Sequence, residues 1–307
     1  MTTTALPVAV IDWVLDAAGA DSVVGWRIER LSGGAVAARV ERLEVQARIG
    51  GSVESVPLVR KWGFAHEVAG LRAAQAVRPD ARSVPELIAH GRDQSGPWMV
   101  TPLYEGVSVE AAALPAVVFE SLARLHARYW RMDPPLGGIP VVDAAWWGDL
   151  CRSWATPAVQ RHASHHPPET SRRALDLLDR AAGDPAISRV LGHLGVTLLH
   201  GDVHAGNVLV HDESAHLIDW GSARIGTPML DLANVITPQS WRFARYARAW
   251  REAAGAGLNA EQVELGYQWA RLQIPIQYLP WTVEHRSTAD VEAALDQAET
   301  ALDHLDA

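Results

Sequence analysis

Apolar positions recur at helical spacing over residues 8–18 and stop at Gly19; the pattern then changes to alternation over residues 24–31, turns at Ser32-Gly33-Gly34, and alternates again over residues 35–47. This predicts a helix followed by a β-hairpin. Three shorter runs, at residues 56–62, 84–89 and 98–101, raise the expected count to about five antiparallel strands. A helix follows the third, with Glu67 in its first turn and Val68, Leu71 and Ala74 along one face. Beyond Gly106 the periodicity is helical over residues 116–130, 144–155, 171–182, 241–256, 260–281 and 288–305, with a kink expected at Pro275.

Within that helical part lie short apolar runs at residues 196–199, 208–211 and 216–218, which read as strands. The last two are separated by Asp212-Glu213-Ser214, a turn signal, so they predict a hairpin that sets Asn207, just before it, beside Asp219, just after it. An amide oxygen next to a carboxylate is a pair of hard oxygen ligands suited to Mg²⁺ shared with substrate phosphates. Asp202, five residues before Asn207 in a glycine-flanked loop, is then a carboxylate placed to orient or deprotonate a hydroxyl. These are the parts that phosphoryl transfer requires.

Composition narrows the setting. The 307 residues are 48% hydrophobic and 21% charged, an ordinary globular balance long enough for a bilobal enzyme. The net charge of −9 argues against a nucleic-acid partner and is compatible with a cationic or neutral small molecule. Cys151 is the single cysteine, so an intramolecular disulfide is excluded. The first residues lack a basic segment, Asp12 and Asp16 interrupt the apolar run that follows, and no stretch is long enough to span a membrane; the expectation is a cytoplasmic protein.

His200-Gly201-Asp202-Val203-His204-Ala205-Gly206-Asn207 followed by Ile218-Asp219-Trp220-Gly221 resembles the catalytic and metal loops of the aminoglycoside phosphotransferase and choline kinase superfamily. The resemblance implies a bilobal, protein-kinase-like α+β fold: an antiparallel sheet lobe with its hinge over residues 1–106, and a larger, mainly helical lobe over residues 107–307 that binds the acceptor. It implies ATP and Mg²⁺ as cofactors, Asp202 as the base, Asn207 and Asp219 on the metal, and His200 and Asp231 as structural support for the catalytic loop. The Gly33-Gly34 turn would cover the nucleotide, and Pro102 and Tyr104 would offer backbone groups to adenine. A strand cation would grip the phosphates, steadied by Glu67. Adjacent strand residues face opposite ways, so Arg60 and Lys61 compete for this role. Family register favours Arg60, leaving Lys61 in solvent. Glu264, Trp269, Tyr278, Trp281 and Glu284 fall where relatives build the acceptor pocket.

Other classes fit less well. Gly201-Asp202-Val203-His204 is similar to one block of binuclear metallophosphoesterases, but the His-bearing blocks needed for two metal sites are missing. A protein kinase would carry an Ala-Pro-Glu block and a long segment after Asp219. A non-catalytic nucleotide-binding module would have little reason to keep Asp202, Asn207 and Asp219 together. His126 reads as a hydrogen-bonded structural residue, and the histidines at 162, 165 and 166 as a solvated loop.

Overall fold

The computed structural model describes residues 5–31, 39–78, 81–132 and 136–306. The chain packs as two compact units that are not continuous stretches of sequence. The first holds the described residues up to Leu122 together with Gly137–Ile139 and His204–Ala223; the second holds the remainder.

The first unit is built on a five-stranded antiparallel sheet of β1 (Ser22–Arg30), β2 (Arg39–Ile49), β3 (Ser52–Trp62), β4 (Ala89–Asp93) and β5 (Gly96–Pro102), in the order β1-β2-β3-β5-β4. Alternation along β2 puts Leu43, Val45 and Ala47 on one face, where they pack with Leu58, Ala89 and Val100 against Val10 and Val14 of helix α1 (Val8–Ala17). Helix α2 (Ala65–Gln75) follows β3. Proline in the interior β3 is tolerated because Pro57 lies where β5 has already ended. Its carbonyl accepts from the Leu103 N–H on that side, so its missing donor is turned towards the segment just past the end of β5 and away from the β2 ladder.

The run at 84–89, expected as a strand, is a correction. Residues 84–88 are not paired as a strand, and pairing begins only at Ala89. The Glu86 N–H donates to the Tyr104 hydroxyl and the Leu87 N–H to the Gln75 side chain, so side chains hold this segment in place of a ladder. The hairpin β7 (Val208–His211) and β8 (Ser214–Leu217) belongs to this unit, with Val208 opposite Leu217 and a two-residue turn in which Asp212 takes positive φ.

The second unit is mainly helical: α4 (Ala144–Asp149), α5 (Thr156–Arg161), α6 (Pro168–Gly183), α7 (Pro185–His193), α8 (Met229–Leu232), α9 (Trp241–Ala254), α10 (Ala260–His285) and α11 (Thr288–Asp306). Helix α3 (Ala116–Arg128) divides between the units at Leu122. A π turn over Leu150–Ala155 joins α4 to α5. Its two strands, β6 (Thr197–Leu199) and β9 (Arg224–Gly226), pair antiparallel and flank the loop that carries Asp202. Helix α10 starts at an Asn259 cap and runs 26 residues through both Pro275 and Pro280. The histidine segment is a short 3-10 turn, with His166 bonded to the Val283 carbonyl and the Thr288 hydroxyl.

Candidate active site

In the first unit the decisive geometry is set by the pairing of β3. Arg60 lies directly opposite Glu41 and next to Leu58 on the face that packs on α1, whereas Lys61 projects to the other face, towards α2. Lys61 Nζ lies 2.6 Å from a Glu67 carboxylate oxygen and 2.7 Å from Asp219 Oδ1. Arg60 instead ion-pairs Glu41 at 2.8 Å and stacks over Trp62, 4.3 Å from its ring centroid. The expectation that Arg60 meets Glu67 while Lys61 faces solvent is therefore reversed: the apolar α1 face claims Leu58, and Arg60 two residues on must share it.

Burial alone would depress the Lys61 ammonium, but the two carboxylates outweigh it and hold the group above its ordinary value. Glu67 is 1% exposed. Burial, reinforced by repulsion from Asp219, raises its carboxyl despite Lys61. Glycine makes room for this arrangement. A Cβ on Gly63 would strike the Glu67 carboxylate, and one on Gly70 would come within 2.5 Å of the Ala223 Cβ, so α2 lies close against the turn after Asp219. That turn is held from above as well, since His66 Nε2 hydrogen-bonds the Gly221 carbonyl oxygen at 2.8 Å.

Asp219 has φ 61°, in the left-handed region uncommon for a residue with a side chain, and its carboxylate accepts from the Gly221 N–H. The hairpin does what the sequence pattern demands: the Ile218 N–H donates to the Asn207 carbonyl at 2.9 Å, so the residues flanking the two strands are neighbours. Tyr104 uses its hydroxyl to accept from Glu86, and its ring stacks on His216 at 3.9 Å. Pro102 ends β5 opposite Leu58. Gly33 and Gly34 lie outside the described residues.

In the second unit the loop carrying Asp202 is fixed by a fully buried carboxylate. Asp231, on α8, accepts from the backbone N–H groups of His200 (2.8 Å) and Gly201 (2.7 Å) and faces His126 Nε2 at 3.2 Å. With that nitrogen carrying the proton, His126 Nδ1 accepts from the Tyr246 hydroxyl at 2.9 Å. Burial pushes the Asp231 carboxyl up, yet the hydrogen bonds from His126 and the Gly201 N–H bring it below the ordinary aspartate value. His200 Nδ1 in turn accepts from the Asp202 N–H.

Arg224 and Gln277 are missing from the residues singled out by sequence. Arg224 Nη2 donates both to the Gly201 carbonyl at 2.6 Å and to Gln277 Oε1 at 2.7 Å, and burial pushes this guanidinium down to about 10. The signal was available: a single arginine inside the apolar stretch Ala223-Arg224-Ile225-Gly226 must be buried with partners. Of the five α10 positions proposed for the acceptor, Tyr278 reaches Asp202, donating its hydroxyl to Oδ1. Trp269 is a correction, being fully buried against Trp147 with its indole N–H on Gln273. Exposed Glu264 accepts from half-buried Gln268, and at 1.5 Å per residue it lies roughly 21 Å along the helix axis from Tyr278. Trp281 is 43% exposed beneath Arg286, and Glu284 lies near His162 and His285.

This fold is that of kinase-like phosphotransferases. A choline kinase from Cryptosporidium parvum aligns over 91% of the chain and 90% of its own, with TM-score 0.58 and 11% identity. A putative fructosamine-3-kinase from Thermobifida fusca aligns over 95% and 98% (TM-score 0.55, 20% identity), and the spectinomycin phosphotransferase APH(9)-Ia over 97% and 95% (0.53, 13%). The chain belongs to the phosphotransferase enzyme family, whose model matches residues 58–273. It is accordingly an enzyme, a phosphotransferase. No curated protein matches it in sequence. Among the described residues no helix is long and apolar enough to cross a membrane.

Proposed function

We propose that this enzyme transfers the γ-phosphoryl group of ATP, with Mg²⁺, to a hydroxyl of a small molecule. The observation that carries the reading is the Lys61 ammonium held at 2.6 and 2.7 Å between Glu67 and Asp219, the cation-and-carboxylate set that phosphoryl transfer uses to position a nucleotide. Lys61 is the phosphate-gripping cation and Glu67 its support. Asn207 and Asp219 fit magnesium: both offer oxygen, the hairpin makes them neighbours, and the Asp219 side chain is 49% exposed while Lys61 fixes one of its oxygens. When bound, the ion supplies charge neutralisation at the phosphates. Asp202 orients the acceptor hydroxyl and takes its proton, and Asp231 keeps the loop that carries it in shape. The backbone groups of Pro102 and Tyr104 serve the adenine.

The acceptor class we favour is an amine-bearing alcohol: an aminoglycoside-like antibiotic, an amino sugar or an amino alcohol. The net charge of −9 supports a cationic partner, and one relative of the same fold was solved with ADP and spectinomycin. Incubation with Mg-ATP and a panel of such alcohols, scored by ADP release and by gain of one phosphate on the acceptor, tests the proposal. Hydrolysis of a generic phosphate ester with Mn²⁺ and no ATP would contradict it, as would tight ATP binding with no turnover on any acceptor.

A further inference from the structure

Tyr278 stands where an acceptor would stand. Its hydroxyl donates to Asp202 Oδ1, the hydrogen bond that the hydroxyl of a substrate must make to the same carboxylate. The contact is not a chance meeting of two mobile side chains, because one guanidinium links the two segments that carry them: Arg224 Nη2 donates to the backbone carbonyl of Gly201, one residue before Asp202, and to the side-chain Oε1 of Gln277, one residue before Tyr278. Gln277 Oε1 is further tied to Gln273, which also accepts the Trp269 indole N–H, so the clamp is anchored in the core of α10. On the other side Asp231 holds the His200 and Gly201 N–H groups. Seating one phenol on one carboxylate thus employs buried Arg224, Asp231 and Gln273, which is a large investment of desolvated polar groups.

From this we infer that Tyr278 is a positioning residue that caps the base and stands in for the acceptor until the acceptor displaces it. The inference rests on the reading of Asp202 as the base. A kinase whose base is open to water can direct a water molecule to the γ-phosphate, breaking the β–γ bridge to give ADP and inorganic phosphate. A phenol on Oδ1 removes the position that water would take. An acceptor able to supply its own hydroxyl, and to fill the space vacated by the ring, regains that position. Tyr278 therefore sets a threshold that small alcohols and water do not pass.

The test is Tyr278→Phe, which keeps the ring and removes only the hydroxyl. ADP release is measured with and without an acceptor found in the panel, alongside the melting temperature. The expected result is acceptor-independent ADP release raised by roughly five-fold or more over wild type, with a melting temperature within a few degrees and a lower ratio of phosphorylated acceptor to ADP. A purely structural role would change stability without altering that ratio. An unchanged ratio overturns the inference, and so does phosphate found on Tyr278 of the wild-type protein, because Tyr278 would then be an acceptor itself and not a cap. Wild type that releases no ADP with any acceptor overturns the kinase reading and this inference together, whereas coupled turnover with an unaltered Tyr278→Phe ratio defeats the inference alone.

Discussion

A buried carboxylate whose cation is deleted keeps its desolvation and loses its partner. Lys61→Ala strands Glu67 in this way, so it should cost about 3–5 kcal/mol of stability and raise the KM for ATP. Arg60→Ala should leave the KM for ATP within a few-fold, because Glu41 retains Arg39 and neither touches Asp219. Steady-state kinetics on the two variants separates them, and damage concentrated in Arg60→Ala would reverse the assignment. Asp231 gives a pH signature. Its carboxyl lies below the ordinary value when folded, so its stabilisation is complete above the unfolded aspartate value of about 3.9 and is lost as pH falls through the folded one. Asp231→Asn should therefore be less stable at neutral pH and show a flatter acid limb in melting temperature against pH; an acid limb as steep as wild type would contradict this. At this scale the nearness of Asn207 to Asp219 was legible in the sequence, because it follows from the hairpin between them. The choice between Arg60 and Lys61 was not, since it depends on which sheet face α1 covers, and Val56-Pro57-Leu58-Val59 is apolar at both parities.

At the scale of elements, α2 matters because it carries Glu67 and rests on the turn after Asp219. Gly70 permits that approach, with its hypothetical Cβ 2.5 Å from the Ala223 Cβ. Gly70→Ala should lift α2 away from the turn, cost about 1–3 kcal/mol by overpacking, and weaken ATP binding more than acceptor binding. A variant with wild-type stability and KM for ATP would show that the close contact is dispensable. Elements with a strong local signal were legible in the sequence, including the β7–β8 hairpin and the long helices α9, α10 and α11. The strand expected at 84–89 was not correctly placed, because the backbone N–H groups of Glu86 and Leu87 donate to the Tyr104 hydroxyl and the Gln75 side chain and not to a neighbouring strand. Helix α10 shows a related limit. Its register fixes that only part of its length can serve a site near Tyr278, so acceptor candidates spread from Glu264 to Glu284 could not all line one pocket.

For the whole molecule, the acidic balance predicts that an amine-bearing acceptor will bind more weakly as ionic strength rises across the physiological range; an anionic best acceptor would contradict this. The central claim is hydroxyl-directed phosphoryl transfer with Asp202 as base. The most direct test is a single comparison, wild type against Asp202→Ala, in which Mg-ATP binding and phosphorylation of the best panel acceptor are measured on the same preparations. The account predicts that Asp202→Ala binds Mg-ATP with affinity within a few-fold of wild type while nearly all acceptor phosphorylation is lost, because the effect of the base appears in kcat. Near-wild-type turnover by Asp202→Ala would contradict it.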